Sequence, residues 1–341
     1  MNMPINITPA TASSQALPTP RQLREALPLP APLQAQIARH RDAVRRVLSG
    51  EDDRLLVVVG PCSIHDDQAV LEYAERLARL ADQVSDRLLL VLRAYLEKPR
   101  TTVGWKGMLY DPERTGAGDL NLGLQRSRSL LLKLAETGLP LATEALSPMA
   151  MDYLDDLISW TAIGARTTES QIHRELVSGL PMPVGLKNGT DGGITVAINA
   201  MKSAAEPHHR FGINQDGQPA MLVTSGNPDT HLVLRGGKGV TNYDSDSIHN
   251  AVGALAAAGV STAVMVDCSH DNACKIHDRQ LAIARDVAAQ RHAGQTAIKG
   301  LMLESFLVAG RQDDKGELTY GQSITDPCID WAATEALLRA L

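Results

Sequence analysis

The chemistry-bearing residues crowd most densely into Arg93-Ala94-Tyr95-Leu96-Glu97-Lys98-Pro99-Arg100-Thr101-Thr102, where three cations fall within eight residues. The apolar run Leu88-Leu89-Leu90-Val91-Leu92 precedes them, short enough for a strand buried on both faces. Charge at the end of a core strand is costly unless something anionic meets it. Pro99 stiffens the backbone and two hydroxyls follow, so the stretch reads as a fixed, phosphate-gripping loop. A solvated surface turn is the bland alternative.

Positioning such a loop takes a scaffold, and the rest of the chain supplies a rhythm for one. Strands are expected at about 55–59, 88–93, 140–144, 159–164, 182–187, 230–235, 262–267 and 298–304. Helical spacing recurs between and after them, as in Val70, Tyr73, Ala74 and Leu77, in Ile248, Ala251, Val252 and Leu255, and in Ala333, Ala336, Leu337 and Ala340. Eight strand–helix units is the count of a closed α/β (β/α)8 TIM barrel; a doubly wound open sheet is the runner-up.

In such barrels chemistry gathers where the strands finish. The residues there are Cys62, Arg93, Glu144, Arg166, Lys187, Arg235, His270 and Glu304. Ring closure sets the last strand against the first, so Cys62, His270 and Glu304 converge, and Asp326 in the following loop can reach them. A thiolate, an imidazole and two carboxylates suit a divalent metal of mixed preference: manganese in the first place, with iron, cobalt or zinc also compatible. Singly, each has a duller reading: Cys62 as a buried small hydrophobe, Asp326 as a helix cap. Arg93, Lys98, Arg166, Lys187 and Arg235 occupy the other arc. A focused basic pocket in an acidic chain expects a small, multiply anionic substrate. Gly164 to Glu169 opens a helix whose N–H groups can assist a phosphate.

Around this barrel the sequence implies additions. Residues 1–32, rich in Pro, Ala, Thr and Ser, read as an arm ordered only by a partner subunit or the barrel surface. A helix over 33–48 ends at Gly50, which divides the chain into an N-terminal arm and helix, 1–50, and a barrel, 51–341. Asp216-Gly217 between short alternating runs predicts an inserted β-hairpin over 211–223. Gly310, Gly316 and Gly321 between Glu304 and Ile329 predict a second hairpin or a lid.

Composition narrows the function classes. The chain has 341 residues, 44% hydrophobic, enough for a large core. With 33 basic against 39 acidic side chains and 3% aromatics, a nucleic-acid partner is not expected. Four cysteines without paired close spacing, and ten methionines, suit a reducing interior. No leader-like start and no run of membrane-spanning length is visible, so a soluble, cytoplasmic protein without a membrane partner is expected.

Several long stretches carry a resemblance: Gly60-Pro61-Cys62-Ser63-Ile64-His65-Asp66, Lys98 to Gly107, Gly164 to Gln171, Lys187 to Gly192, Leu234 to Lys238, Asp267 to His270 and Ser323-Ile324-Thr325-Asp326. From about residue 17 onward the chain resembles the 3-deoxy-D-arabino-heptulosonate-7-phosphate (DAHP) synthase family in its microbial type I form. That resemblance implies condensation of phosphoenolpyruvate with erythrose 4-phosphate, the first step of the shikimate pathway, in a homodimer or homotetramer. It implies Cys62, His270, Glu304 and Asp326 as metal ligands. It places Arg93, Lys98, Glu144, Ala165, Arg166, Lys187 and Arg235 around phosphoenolpyruvate. Arg100 and Thr101 fall to the sugar phosphate, with Lys98, Pro99 and Asp326 near its aldehyde end; Lys98, between both substrates, is the candidate for proton delivery to the developing alkoxide or for its stabilisation.

Family members are commonly inhibited by an aromatic amino acid bound outside the barrel mouth. Here the pattern departs: Met151-Asp152 stands where Pro-Gln is usual, and Pro181 follows Leu180 where serine is common. His209 to Gln215, with Phe211, looks like tyrosine-sensitive members, so weak or altered tyrosine inhibition is expected. The alternatives are a sister synthase using another sugar phosphate, a Schiff-base aldolase with Lys187 as nucleophile, and an amino-acid-binding relic of the barrel.

Overall fold

The computed structural model describes residues 14–100 and 102–341; the start of the expected arm and Thr101 lie outside the described residues. The chain opens with helices α1 (Pro20–Ala26) and α2 (Ala31–Ser49), then alternates β1 (Leu55–Gly60), α3 (Asp67–Val84), β2 (Leu88–Arg93), α4 (Leu120–Glu136), β3 (Leu141–Glu144) and α5 (Pro148–Leu154). It continues through β4 (Trp160–Ile163), α6 (Gln171–Val177), β5 (Val184–Lys187), α7 (Thr195–Ala204), β6 (His209–Ile213), β7 (Pro219–Val223), β8 (Thr230–Leu234) and α8 (Ser245–Ala258). It finishes with β9 (Val264–Asp267), α9 (Arg279–His292), β10 (Ile298–Glu304), β11 (Val308–Arg311), β12 (Gln322–Ser323) and α10 (Trp331–Ala340).

Eight of these strands close into a parallel barrel in the order β1-β10-β9-β8-β5-β4-β3-β2, as a (β/α)8 barrel requires. The strands are mainly apolar because both faces are covered, and Arg93, Glu144, Lys187, Asp267 and Glu304 stand at the ends that form the mouth. Along β1, Leu55, Val57 and Val59 face the surrounding helices, whereas Leu56 and Val58 pack inside the ring with Val91, Trp160 and Met302. Val44 and Val47 of α2 join that inner cluster, so α2 seals the amino-terminal end of the barrel and leaves chemistry the other end. It stops at Gly50, in the left-handed region at φ 85°.

The register sets the floor of the site. Gly60 at the end of β1 pairs with Glu304 at the end of β10, and Val59 pairs with Leu92 of β2. First and last strands therefore deliver their terminal residues at one level.

The described part of the arm is held by the barrel surface. Thr19 and Gln22 form a reciprocal capping box around Pro20, and Leu23 is buried. Tyr153 donates its hydroxyl to the Pro18 carbonyl at 2.8 Å, and Arg24 reaches Asp155 at 2.7 Å. Helix α1 itself was not expected from the sequence. The β6–β7 hairpin is antiparallel around Gly217, as expected. The second expected hairpin is corrected: β11 and β12 pair in parallel through two positions only, while Gly310 bridges Cys328 in the antiparallel sense. The three glycines do sit at positive φ, but they turn the chain more than once. The loop so formed is cross-tied and returns Asp326 to β1.

Candidate active site

Cys62 lies two residues past β1. The approach is tight, since a Cβ on Gly60 would stand 2.7 Å from the Arg93 carbonyl oxygen, and only glycine fits there. The Cys62 Sγ is 3.5 Å from Asp326 Oδ2, and accepts from the Asp326 N–H at 3.3 Å and from Lys98 Nζ at 2.9 Å. Donor atoms of Cys62, Glu304 and Asp326 all lie within 4.8 Å of one another. His270 adjoins this trio, its Nε2 3.9 Å from Glu304 Oε1. Its backbone takes a positive φ of 49°, and its Nδ1 is 2.8 Å from Asp267 Oδ2. A carboxylate only accepts, so Nδ1 carries a proton and Nε2 is the ring nitrogen turned toward Glu304, the one a metal would take from the neutral imidazole. Three of the four expected ligands are thus drawn together, with the fourth oriented toward them.

The electrostatics fit a cation. Burial, with Glu304 adding, pushes the Cys62 thiol up to about 12, against the pull of Lys98. Burial also works against ionising Asp326, but Lys98 and His270 outweigh it and bring that carboxyl to about 2. A softer sulfur and nitrogen beside two hard oxygens match manganese, iron, cobalt or zinc.

On the opposite arc Arg93, Lys187 and Arg235 are held in pairs. Arg93, 1% exposed, donates to Glu304 Oε1 at 2.9 Å and to the carbonyls of Pro61 and Cys62, with its guanidinium 3.5 Å from the Tyr95 ring centre. Lys187 Nζ is 3.0 Å from Asp267 Oδ2, both buried. Arg235 Nη1 is 2.7 Å from Asp271 Oδ2. Burial would lower the basicity of Lys98, but Cys62, Glu304 and Asp326 outweigh it and keep the ammonium charged. An arriving anion therefore shares cations already fixed in place, which lowers its cost of ordering.

Between the arcs lies a cavity of about 490 Å³. One wall is Lys98, Pro99 and Arg100; Glu144, Ala165 and Arg166 form a second; Lys187, Arg235, His270, Glu304 and Asp326 complete it. Arg93 and Cys62 are fully buried beside it, and Arg166 stands exposed at its rim. Sequence reasoning missed Asp267 and Asp271 as partners. The signal for Asp267 was present: an Asp three residues before a His at a strand end.

The expected effector residues are spread over a second region. Met151 is buried on α5, and Asp152 beside it pairs with Arg210 of β6 at 3.3 Å. Leu180 is largely buried, whereas Pro181 is exposed and accepts from Arg45 at 2.7 Å. Phe211 is 84% exposed. Strand alternation turns it outward, so Arg210, not Phe211, is the hairpin residue that meets α5.

Residues 30–339 match the model of the DAHP synthetase I family. The chain belongs to the DAHP synthetase I family. It is 54% identical over 330 residues to the Tyr-sensitive phospho-2-dehydro-3-deoxyheptonate aldolase of Escherichia coli, covering 96% of this chain and 92% of that protein. The Trp-sensitive aldolase of the same organism is 47% identical over 333 residues (97% and 95%), and the phenylalanine-inhibited one of Saccharomyces cerevisiae 46% over 334 (95% and 90%). A solved structure of this aldolase from Francisella tularensis superposes with a TM-score of 0.95 at 42% identity, covering 96% of each chain.

Proposed function

We propose that this chain condenses phosphoenolpyruvate with erythrose 4-phosphate to DAHP and inorganic phosphate, opening aromatic amino-acid biosynthesis. The observation that carries the reading is one cavity in which Lys98 joins a Cys/Glu/Asp donor cluster to a ring of arginines and lysines. Arg166, Lys187 and Arg235 meet the anionic groups of phosphoenolpyruvate, with Arg93 bracing Glu304 behind them. Arg100 and Thr101 meet the sugar phosphate. A divalent cation held by Cys62, His270, Glu304 and Asp326 supplies Lewis acidity toward the aldehyde.

Carbon 3 of the enol ester attacks the aldehyde carbon, and the aldehyde oxygen takes a proton from Lys98 Nζ. Water adds to carbon 2 and returns one proton to Lys98; its second proton goes to the phosphate as the bond from carbon 2 to the phosphate oxygen breaks and leaves the ketone. Most of the rate gain is positioning of two mutually repelling anions. Asp267 Oδ2 engages Lys187 Nζ at 3.0 Å and occupies the amine, which weighs against a Schiff-base aldolase.

Regulation by an aromatic amino acid, tyrosine first, is supported by relatives named for Tyr, Trp and phenylalanine sensitivity. Asp152 Oδ2 is buried without a hydrogen-bond partner among the described residues, an acceptor suited to the ammonium of such an effector. Met151, Leu180 and Pro181 are the further positions proposed to shape that cleft. We also propose a homodimer or homotetramer and a cytoplasmic location; among the described residues no helix is long and apolar enough to cross a membrane. We place the boundary between arm and barrel at residue 50.

The test is phosphate release from phosphoenolpyruvate, with and without erythrose 4-phosphate, across a metal series after chelation. Release only with both substrates and a restored divalent ion is expected. Release without the sugar phosphate would refute condensation, and full turnover after chelation would refute the metal.

A further inference from the structure

Glu97 sits beside Lys98, yet its side chain turns away from the cavity and is 5% exposed. Its Oε1 accepts from the Tyr110 hydroxyl at 3.1 Å and its Oε2 accepts from the Ser147 N–H at 3.3 Å. Ser147 starts α5 and lies three residues past Glu144. The carboxylate therefore links the β2 loop, which carries Lys98, to the β3–α5 connection, which begins at Glu144.

The link is stiff on the β2 side. Lys98 N–H donates to the Lys106 carbonyl at 2.9 Å, and Leu109 N–H to the Leu96 carbonyl at 3.2 Å. Gly107, at φ 109°, packs so closely that a Cβ would stand 2.2 Å from the Leu96 oxygen. Residues 96–98 and 106–109 thus move as one piece, and a tether at Glu97 is felt at Lys98.

We infer that Glu97 is a positioning residue whose ionised carboxylate fixes the Lys98 wall of the pocket against the Glu144 wall. The inference rests on the condensation reading above. Its chemistry follows from the surroundings. From α4 and α5 the neighbours are apolar: Leu131, Ala150, Met151 and Leu154. The titratable groups that face it are Tyr110, from its own loop, and Glu144, from β3; Lys106 lies behind, its Nζ 5.9 Å from the Tyr110 ring centre. Burial, with Glu144 adding, pushes the Glu97 carboxyl up to about 7, although Ser147 and Tyr110 favour its charged form. Burial and Glu97 hold the Tyr110 hydroxyl up at about 12, so it remains a donor. An acceptor-only carboxylate matches two donors. Protonation removes the charge that strengthens both bonds and turns one oxygen into a donor facing Tyr110. The tether is intact above the carboxyl's ionisation and loosens as pH falls through it.

The experiment is the pH dependence of kcat/KM for both substrates over roughly pH 5.5 to 9, using the metal-loaded wild type, Glu97→Gln, Glu97→Asp and Tyr110→Phe. The wild type should lose activity as pH falls through about 7. Glu97→Gln should be lower at the alkaline end by about 10-fold and lack that limb; Glu97→Asp should restore part of it. Tyr110→Phe removes one bond to the charged form, so its limb should move to higher pH. The substrates' own phosphate ionisations are common to all variants and cancel in the comparison. A Glu97→Gln enzyme with the wild-type limb, or an unmoved limb in Tyr110→Phe, would overturn the inference. Should the Gln variant not fold, the Tyr110→Phe shift decides it. An inactive wild type would take both readings down, whereas an active one with an unmoved limb takes down this one alone.

Discussion

The barrel mouth and the region outside it, between α1, α5 and the β6–β7 hairpin, both gather charge, but under different constraints. In the mouth, Arg93 and Glu304 are 1% and 2% exposed and Lys187 and Asp267 4% and 0%. Their positions come from strand register, with Gly60 level with Glu304. Outside, Asp152–Arg210 is partly buried, Arg24–Asp155 more open, and Arg21–Asp216 more than half exposed. These pairs join elements that meet only through side chains. Breaking a buried pair strands a charge, whereas an exposed pair is worth about 0–1 kcal/mol. The mouth is therefore built to hold one geometry, and the outer region to change its geometry at small cost.

The sharpest attack on the mouth is Cys62→Ala. It should cost ~10³-fold or more in metal-dependent turnover, several kcal/mol of transition-state stabilisation, with an unchanged circular dichroism spectrum. Activity near wild type would mean that the donor cluster is not where the chemistry happens. Next comes Asp267→Asn, which leaves the imidazole without its orienting carboxylate. Metal affinity should fall about 10- to 100-fold, read by calorimetric titration of manganese; equal affinity would show that His270 needs no such support.

The interior beneath the mouth gives a third contrast. His231 accepts from Trp160 Nε1 at 3.0 Å inside the barrel, and burial lowers its pKa to about 4. The unfolded chain, with an ordinary imidazole near 6.5, binds the extra proton first. This stabilisation is complete above that value and is lost as pH falls toward about 4, with a slope of up to about 1.4 kcal/mol per pH unit. Denaturant unfolding at several pH values should show the loss in the wild type and less of it in His231→Gln. Smallest, outside the barrel, Arg210→Ala should cost about 1 kcal/mol by unpairing Asp152 and change inhibition by tyrosine several-fold while basal turnover persists. Unaltered inhibition by all three aromatic amino acids would separate this region from regulation.

The same contrast explains what could be read in advance. Fully covered strands are short apolar runs, so β1 to β5 and β8 to β10 stood out, and ring closure alone placed Cys62 near Glu304. The resemblance then supplied roles for the residues at the strand ends. Helix α1 escaped because it buries little beyond Leu23 and Pro20, although Thr19-Pro20 with Gln22 carried a capping signature. The turn glycines after β10 marked bends without fixing strand direction, so a hairpin was expected where a cross-tied loop forms. Phe211 drew notice as an aromatic, yet pleat parity put Arg210 inward. Glu97 and Asp271 were invisible as partners, because nothing in a linear sequence distinguishes a buried carboxyl from a solvated one.

The pairing of β1 with β10 also has a consequence for synthesis. Cys62 leaves the ribosome early, and Glu304 and Asp326 much later, so a nascent chain cannot assemble the donor cluster until nearly all of it has emerged. The assembled cluster then marks an intact molecule, and truncated chains lack it.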